Sequence, residues 1–202
     1  MKKGGKREYG LSFVEMLVAI GVFVIIMLAL SSSLLYFYRA NSYSIEQSFA
    51  VNAARRGVEI LVRDLREATF SDEGAYPLVS GDAYSVSFYS DIDRDESVEK
   101  VRYFLDGGVL KKGVVNASGD PPSYTGAEAV SVVSDNVRNE TQGVSIFRYY
   151  DKNRGEIFNV GLNLTDVVFV TVNLIVNVNP NRLPNEFTLR SSATIRNAKN
   201  AQ

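Results

Sequence analysis

Residues 10–20 read GLSFVEMLVAI and open an apolar run that continues from Met16 to Tyr38, 23 residues without a charged side chain. As an α-helix this run is about 35 Å long, because each residue adds about 1.5 Å to the helix axis. The hydrocarbon core of a bilayer is about 30 Å thick, so one such helix can cross it. The sequence therefore predicts a single transmembrane helix near the N-terminus.

The residues that flank the apolar run predict its orientation in the membrane. One acidic residue, Glu8, lies in residues 1–10, and the same segment holds four basic residues, Lys2, Lys3, Lys6 and Arg7. Basic flanks tend to stay on the cytoplasmic side. We therefore expect the N-terminus in the cytoplasm and the residues after Arg39 outside the cytoplasmic (inner) membrane.

Two simpler interpretations of this segment are a cleaved secretory signal peptide and a plain signal anchor. A signal peptide has an apolar region of about 7–15 residues, which is shorter than the run found here. A plain anchor fits the length but does not explain Glu15, since an ionised side chain inside a bilayer costs about 2.5–3.5 kcal/mol. Glu15 is close enough to the start of the run to snorkel to the interface, which is the structural alternative to a functional role.

The same residues resemble the cleavage and methylation motif of type IV prepilins and type II secretion pseudopilins. The resemblance rests on the basic leader, on Gly10, on Glu15 as the fifth residue after it, and on the length of the apolar run. It implies that a prepilin peptidase cuts between Gly10 and Leu11 and methylates the new amine of Leu11, where the family most often has Phe. It also implies that the Glu15 carboxylate pairs with the terminal amine of a neighbouring subunit and so sets the register of a filament.

The helical pattern continues beyond Arg39 as an amphipathic helix, and we expect one helix over residues 11–70. Apolar residues at spacings of three and four form one stripe: Ala50, Ala54, Val58, Leu61, Leu65 and Ala68. The other positions are largely polar and include Asp64, which we expect on the solvated side. Gly57 is a candidate bend within this helix.

After Pro77 the apolar period changes to two, which is typical of strands. Two hairpins are predicted, one turning at residues 106–108 and one at residues 151–155, with further strands over residues 84–88, 167–178 and 186–196. In the strand over residues 167–178 one face is continuously apolar, and the mixed opposite face is expected to be largely solvated. The order of a helix followed by strands predicts an α+β fold. It is a pilin-like fold in which a long N-terminal transmembrane helix packs on an antiparallel β-sheet domain.

Four segments follow from these patterns. Residues 1–10 are the cleaved leader, residues 11–38 the transmembrane and filament-core half of the helix, residues 39–70 its amphipathic half, and residues 71–202 a β-rich globular domain. Within this family, loose patterns at residues 100–105, 147–151 and 195–197 are similar to J-type minor pseudopilins and W-type minor pilins, and the mature length of 192 residues fits many major pilins less well. That similarity implies a role in filament priming or tip assembly.

An acidic segment is a candidate calcium site, because residues 91–99 hold five carboxylates. Alternate acidic residues, Asp91, Asp93 and Asp95, suit a loop that directs oxygen ligands at Ca²⁺. The EF-hand pattern is absent, since Glu96 and Arg102 stand where it requires Gly and Glu. A solvated acidic turn is the alternative, and the sequence predicts no other cofactor.

Composition narrows the function classes. The chain of 202 residues contains no His and no Cys and has a formal net charge of −1. The chain therefore lacks His, the usual general base, and the cysteine nucleophile, which argues against an enzyme. The charge balance favours no contact with nucleic acid. The expected partners are other pilin or pseudopilin subunits, the prepilin peptidase and the cytoplasmic membrane; the alternative function is a membrane-anchored extracytoplasmic binding module.

Overall fold

A single α-helix, α1, covers Phe13–Arg66 in the computed structural model, which describes residues 12–95, 97–158, 161, 164–181 and 186–195. No proline falls within this helix, so nothing removes its internal hydrogen bonds. The predicted helix is thereby confirmed over 54 residues. The chain divides into two compact units, Met1–Ile45 and Glu46–Gln202, and the second unit holds the last part of α1 and every described strand.

The first sheet is an antiparallel meander in which each strand pairs with the next one along the chain. Its five strands are β1 (Leu78–Gly81), β2 (Ser85–Ser90), β3 (Glu99–Asp106), β4 (Val109–Val115) and β5 (Ala129–Ser134). The predicted hairpin of β3 and β4 is confirmed, with Asp106 opposite Val109. Gly107 and Gly108 have φ of 58° and 78°, and glycine adopts this left-handed conformation without strain in a two-residue turn.

The second sheet has the order β7-β6-β8-β9, and its described pairs are also antiparallel. Its strands are β6 (Phe147–Tyr150), β7 (Glu156–Ile157), β8 (Phe169–Val176) and β9 (Phe187–Thr194), and a 3₁₀ helix over Leu164–Asp166 precedes β8. The fold is therefore α+β, as predicted, with the β-strands divided between two sheets.

Residues 136–144, here called the bridging segment, connect the two sheets. The backbone N–H of Val137 donates to Gly108 O at the β3–β4 turn, and Val137 also forms a bridge with Val176 of β8. The buried amide of Asn139 then acts like a piece of strand: its Nδ2 donates to Asn173 O at 2.8 Å and its Oδ1 accepts from Ile175 N at 2.8 Å. A polar side chain thus satisfies backbone groups of β8 that lack a strand partner.

The expectation that the mixed face of β8 is largely solvated was wrong for its second half. Asn173, Ile175 and Asn177 all lie on that face and are more than nine-tenths buried. The bridging segment, whose Arg138 bonds to both Ile175 O and Asn177 O, runs along this part of β8. The bridging segment, distant in sequence, thus pairs with the backbone of β8, a contact that an alternating apolar pattern does not reveal.

The core of the second unit forms where the apolar stripe of α1 meets both sheets. All six predicted stripe residues are buried, at 6% exposure or less, and belong to one cluster with strand residues of both sheets. Large side chains such as Leu61, Leu65, Phe88 and Leu174 are fully buried. Burial of each contributes about 1.5–3 kcal/mol, so the helix stripe is a main source of stability for this unit.

Candidate functional site

The first turn of α1 contains Glu15 and is held by a side-chain cap. Ser12 precedes the helix, and its Oγ accepts a hydrogen bond from the backbone N–H of Glu15 at 3.2 Å. Ser followed three residues later by Glu is the capping-box arrangement, and a carboxylate in the first turn also interacts favourably with the helix dipole. Glu15 therefore has a local place in the helix cap, and its predicted role in registration stays a prediction. The spacing of Ser12 and Glu15 is the sequence signal from which this cap could have been predicted.

Glu15 is exposed on the helix, and within residues 12–95 and the other described segments no cation lies within ion-pair distance of its carboxylate. The predicted cleavage and methylation positions, Gly10 and Leu11, lie outside the described residues. These assignments stay predictions.

The first half of α1 exposes apolar side chains on all sides. Its most apolar stretch of 18 residues contains no buried residue, and by length and composition α1 is able to cross a membrane. Large exposed side chains include Phe23, Ile25, Leu28, Leu34 and Phe37. A helix that is apolar all round requires apolar surroundings.

The hydroxyl of Ser32, within this apolar half of the helix, is paired. Ser32 Oγ donates to the backbone oxygens of Leu28 and Ala29, one turn earlier in the helix. This bond to the preceding turn satisfies the hydroxyl without water. Ser32, the middle residue of the triplet Ser31-Ser32-Ser33, therefore has a backbone hydrogen-bonding role within the helix.

Asp64 anchors α1 to the first sheet from inside the core, so its predicted place on the solvated side was wrong. It is 1% exposed, and its Oδ2 accepts hydrogen bonds from Tyr103 Oη at 2.8 Å and Lys112 Nζ at 2.7 Å. Burial, and then the adjacent Asp64 charge, raise the pKa of Tyr103, which keeps the phenol protonated as a donor. Asp64 lies at the edge of the apolar stripe, between Leu61 and Leu65. Helical spacing alone does not show which residues at the edges of such a stripe are buried against the sheet.

The acidic loop brings together a different set of carboxylates from the alternate-residue set. Oxygens of Asp91, Asp93 and Glu99 lie within 4.8 Å of one another, whereas Asp95 Oδ1 accepts from Ser97 N at 2.9 Å. Glu99 begins β3, is 2% exposed and accepts from Ile92 N at 2.9 Å. Glu99 is one of the five carboxylates of the segment, but only the fold, with Glu99 at the start of β3, places it beside Asp91 and Asp93.

This group has the chemistry of a hard-cation site. Burial raises the pKa of Glu99, and the negative charges of Asp93, Asp95 and Asp91 raise it further. A divalent cation would reverse that effect, since its charge favours ionised carboxylates. Ca²⁺ prefers six to eight oxygen ligands, of which these three side chains supply a part. Asp91, Asp93 and Glu99 are therefore the residues able to hold calcium.

Comparison with known proteins adds no family assignment. No protein-family model matches the chain, and no curated protein matches it.

Proposed function

We propose that this chain is a minor pilin or pseudopilin, a structural subunit of a type IV pilus or type II secretion pseudopilus. The observation that carries the proposal is the position of Glu15, an acidic residue in the first turn of a helix that then exposes apolar side chains all round. A bilayer supplies apolar surroundings for such a helix before assembly, and the helices of neighbouring subunits supply them afterwards.

Processing is the first step of the proposed function. The basic residues 1–10 stay in the cytoplasm, and a prepilin peptidase cleaves between Gly10 and Leu11 and methylates the new amine. Residues after the membrane-spanning half then lie outside the cytoplasmic membrane. The mature chain begins one residue before Ser12, so the cap of α1 survives the cleavage.

Registration is the second step, and Glu15 performs it. A carboxylate that enters apolar surroundings needs a compensating partner, because an uncompensated buried charge costs several kcal/mol. The terminal amine of a neighbouring subunit's Leu11 provides this partner at one axial position. Pairing therefore selects one stagger between helices, and the exposed apolar side chains then pack at that stagger. The proposed role is structural, in priming or tip assembly, and requires no catalytic residue.

The experiment that tests this role separates the charge of Glu15 from its part in the helix cap. Glu15→Gln removes the charge but keeps a side chain that suits the third position of a capping box. Ser12→Ala removes the hydroxyl that accepts from Glu15 N and keeps the carboxylate. Each variant is expressed in the native host, and its amounts in membranes and in sheared filaments are compared by immunoblot.

We expect Glu15→Gln to reach normal membrane levels and to fall at least about tenfold in filaments, since removing one partner of a buried ion pair costs about 3–5 kcal/mol and tenfold corresponds to about 1.4 kcal/mol. Ser12→Ala is expected to assemble. Normal assembly of Glu15→Gln, or equal loss in both variants, would contradict a registering charge.

The alternative function is a membrane-anchored extracytoplasmic binding module. The cavity on the second sheet, described below, favours this candidate. It differs from the first in requiring no cleavage after Gly10 and no Glu15 pairing, so intact residues 1–10 in the mature protein would support it.

A further inference from the structure

An open cavity of about 680 Å³ lies on the face of the second sheet that carries the outward side chains of β6, β8 and β9. Pockets for small ligands are typically about 300–1,000 Å³, so this one has room for a molecule of one or two rings. The turn at residues 151–155 forms one wall. None of the lining residues belongs to the predicted cleavage, registration or calcium sites.

Strand register arranges the floor of the cavity in rows. Asn173 of β8 is opposite Arg190 of β9, and Thr171 of β8 is opposite Arg148 of β6. Phe169 lies in the next row, beside Tyr150, with the two ring centroids 5.8 Å apart. The floor therefore changes from aromatic at one end to amide and guanidinium groups at the other.

The Asn173 side chain is the unusual feature of this floor. It is 7% exposed, and its Oδ1 has no hydrogen-bond partner in the part of the chain that the structure describes. Its backbone groups are satisfied, since the N–H donates to Ile146 O and the carbonyl accepts from Asn139. More than nine-tenths of buried polar groups in folded proteins have partners, so the unpaired acceptor of a residue that lines the cavity is a candidate to accept from a group outside the chain.

The cavity is also cationic, although the chain as a whole has a net charge of −1. Its lining includes one carboxylate, that of Asp151, and four basic side chains, Arg148, Lys152, Arg154 and Arg190. Asp151 Oδ1 is occupied by the N–H groups of Asn153 and Gly155, at 2.8 and 2.7 Å, and so holds the turn. Arg190 has no ion-pair partner among the described residues, whereas Arg148 Nε lies 3.9 Å from Glu156 Oε1. The charge of this cavity favours an anion.

We propose that the cavity binds an acidic saccharide, a sugar unit that carries a carboxylate beside its hydroxyl groups. Arg190 and Arg148 bind the carboxylate, a geometry that guanidinium groups suit. A sugar hydroxyl donates to Asn173 Oδ1, and the apolar face of the ring packs on Phe169. A neutral sugar lacks the anion and an inorganic anion lacks the apolar ring face, whereas an acidic saccharide has a group for each of these features of the cavity. This chemistry does not depend on whether the chain enters a filament.

The test uses the full chain in detergent micelles, with glucuronic acid as the probe and isothermal titration calorimetry as the readout. Glucose and inorganic phosphate are the matched probes that carry only the hydroxyls or only the anion. We expect glucuronic acid to bind at least about tenfold more tightly than either. Equal binding of phosphate would overturn the saccharide assignment, and equal binding of glucose would overturn the role of the cations.

One variant and one control assign the binding to this cavity. Arg190→Gln is expected to weaken glucuronic acid binding by about 10- to 100-fold, the usual effect of losing a hydrogen bond between charged groups. Arg55→Gln, which removes an exposed cation of α1 outside the cavity, is expected to change nothing. If Arg190→Gln binds like the unchanged chain, the cavity is not the site.

Asn173→Val separates ligand binding from folding. Removing an unpaired buried acceptor is expected to raise the melting temperature by about 2–4 °C, while glucuronic acid binding falls. A purely structural Asn173 predicts the opposite pair of results, a lower melting temperature with binding retained. Retained binding alone is enough to overturn the proposal.

Discussion

Lys112 Nζ lies 2.7 Å from Asp64 Oδ2, and this ion pair joins β4 to α1 with the carboxylate 1% and the ammonium side chain 15% exposed. Tyr103 of β3 bonds to the same oxygen, and Ser90 of β2 donates to the backbone oxygen of Asp64. One helix residue thus contacts three strands of the first sheet. A charge pair at this depth fixes the position of the helix on the sheet, because a displaced helix would leave both charges unpaired.

Asp64→Ala is expected to lower the free energy of unfolding of the second unit by about 3–5 kcal/mol, since it leaves the Lys112 ammonium and the Tyr103 hydroxyl without their partner. Urea unfolding in detergent, followed by near-ultraviolet circular dichroism, measures the change. Glu59→Ala, at an exposed position on the same helix, is the control and should stay within about 0.5 kcal/mol. A loss below 1 kcal/mol for Asp64→Ala would mean that the pair is not important for docking.

Gly57 is a point of close approach between α1 and β5. A Cβ at this position would lie 2.5 Å from Val133 Cγ1 and 3.2 Å from Val133 O. Alanine gains about 1 kcal/mol in helix propensity, but overpacking costs about 1–3 kcal/mol. We expect Gly57→Ala to destabilise the second unit by about 1 kcal/mol in the same urea assay. At Gly21 nothing lies within 4 Å of the built Cβ, and Gly21→Ala should cause no such loss. A higher free energy of unfolding for Gly57→Ala would show that β5 can move away from the helix at little cost.

The Arg102–Glu128 pair predicts an acid-dependent loss of stability. The hydrogen bonds from Arg102, and secondly its charge, lower the pKa of Glu128 below its ordinary value of 4.5. A carboxylate with a lowered pKa in the folded state contributes its stabilisation above the unfolded pKa, and the contribution disappears as pH falls through the folded value. We therefore expect stability to decline below about pH 4.5, with Glu128→Gln declining less steeply in that range.

At neutral pH the same variant should lose only about 0.5–1 kcal/mol, because 42% of the Arg102 side chain is exposed. Unfolding curves recorded from pH 3 to pH 7 measure both effects. Glu140→Gln, at an exposed position outside any described ion pair, is the control and should reproduce the unchanged pH dependence. An unaltered decline in Glu128→Gln would assign the acid sensitivity to other carboxylates.

The calcium prediction for the acidic loop assigns Asp93, but not Asp95, as a calcium ligand. Calcium at 100 times its dissociation constant stabilises a folded protein by about 2.7 kcal/mol, so millimolar calcium is expected to raise the melting temperature of the unchanged chain. Asp93→Asn should lose this increase, whereas Asp95→Asn should keep it, because Asp95 lies outside the group of Asp91, Asp93 and Glu99. Melting curves with calcium or magnesium measure the effect. An unchanged melting temperature would leave the loop as a solvated acidic turn.

Features that depend on local periodicity were predicted well from the sequence. The stripe from Ala50 to Ala68, the Gly107-Gly108 turn and strand β8 all follow from residue spacing or turn chemistry within a few positions. Strands β1 and β5 were not predicted. β1 has four residues, and β5 exposes most of its residues at the sheet edge, so neither shows an alternating pattern.

Features that depend on contacts between distant segments could not be predicted. The burial of Asp64 is accompanied by its bonds to Lys112 and Tyr103, and the backbone of Asn173 is paired by Asn139 of the bridging segment. Glu99 joins Asp91 only after β3 is in place. These are also the polar residues that carry the chemistry of the molecule. Sequence patterns identify apolar faces efficiently, but the partner of a buried polar group is set by tertiary structure.

The mass of the mature N-terminus tests the proposed function most directly. Protein purified from membranes of its native host, without a tag at the N-terminus, is digested and the N-terminal peptide is sequenced by mass spectrometry. The account predicts a chain that begins at Leu11 and carries one added methyl group on its amine. A chain that retains residues 1–10 in both the membrane and any filament fraction would contradict the account.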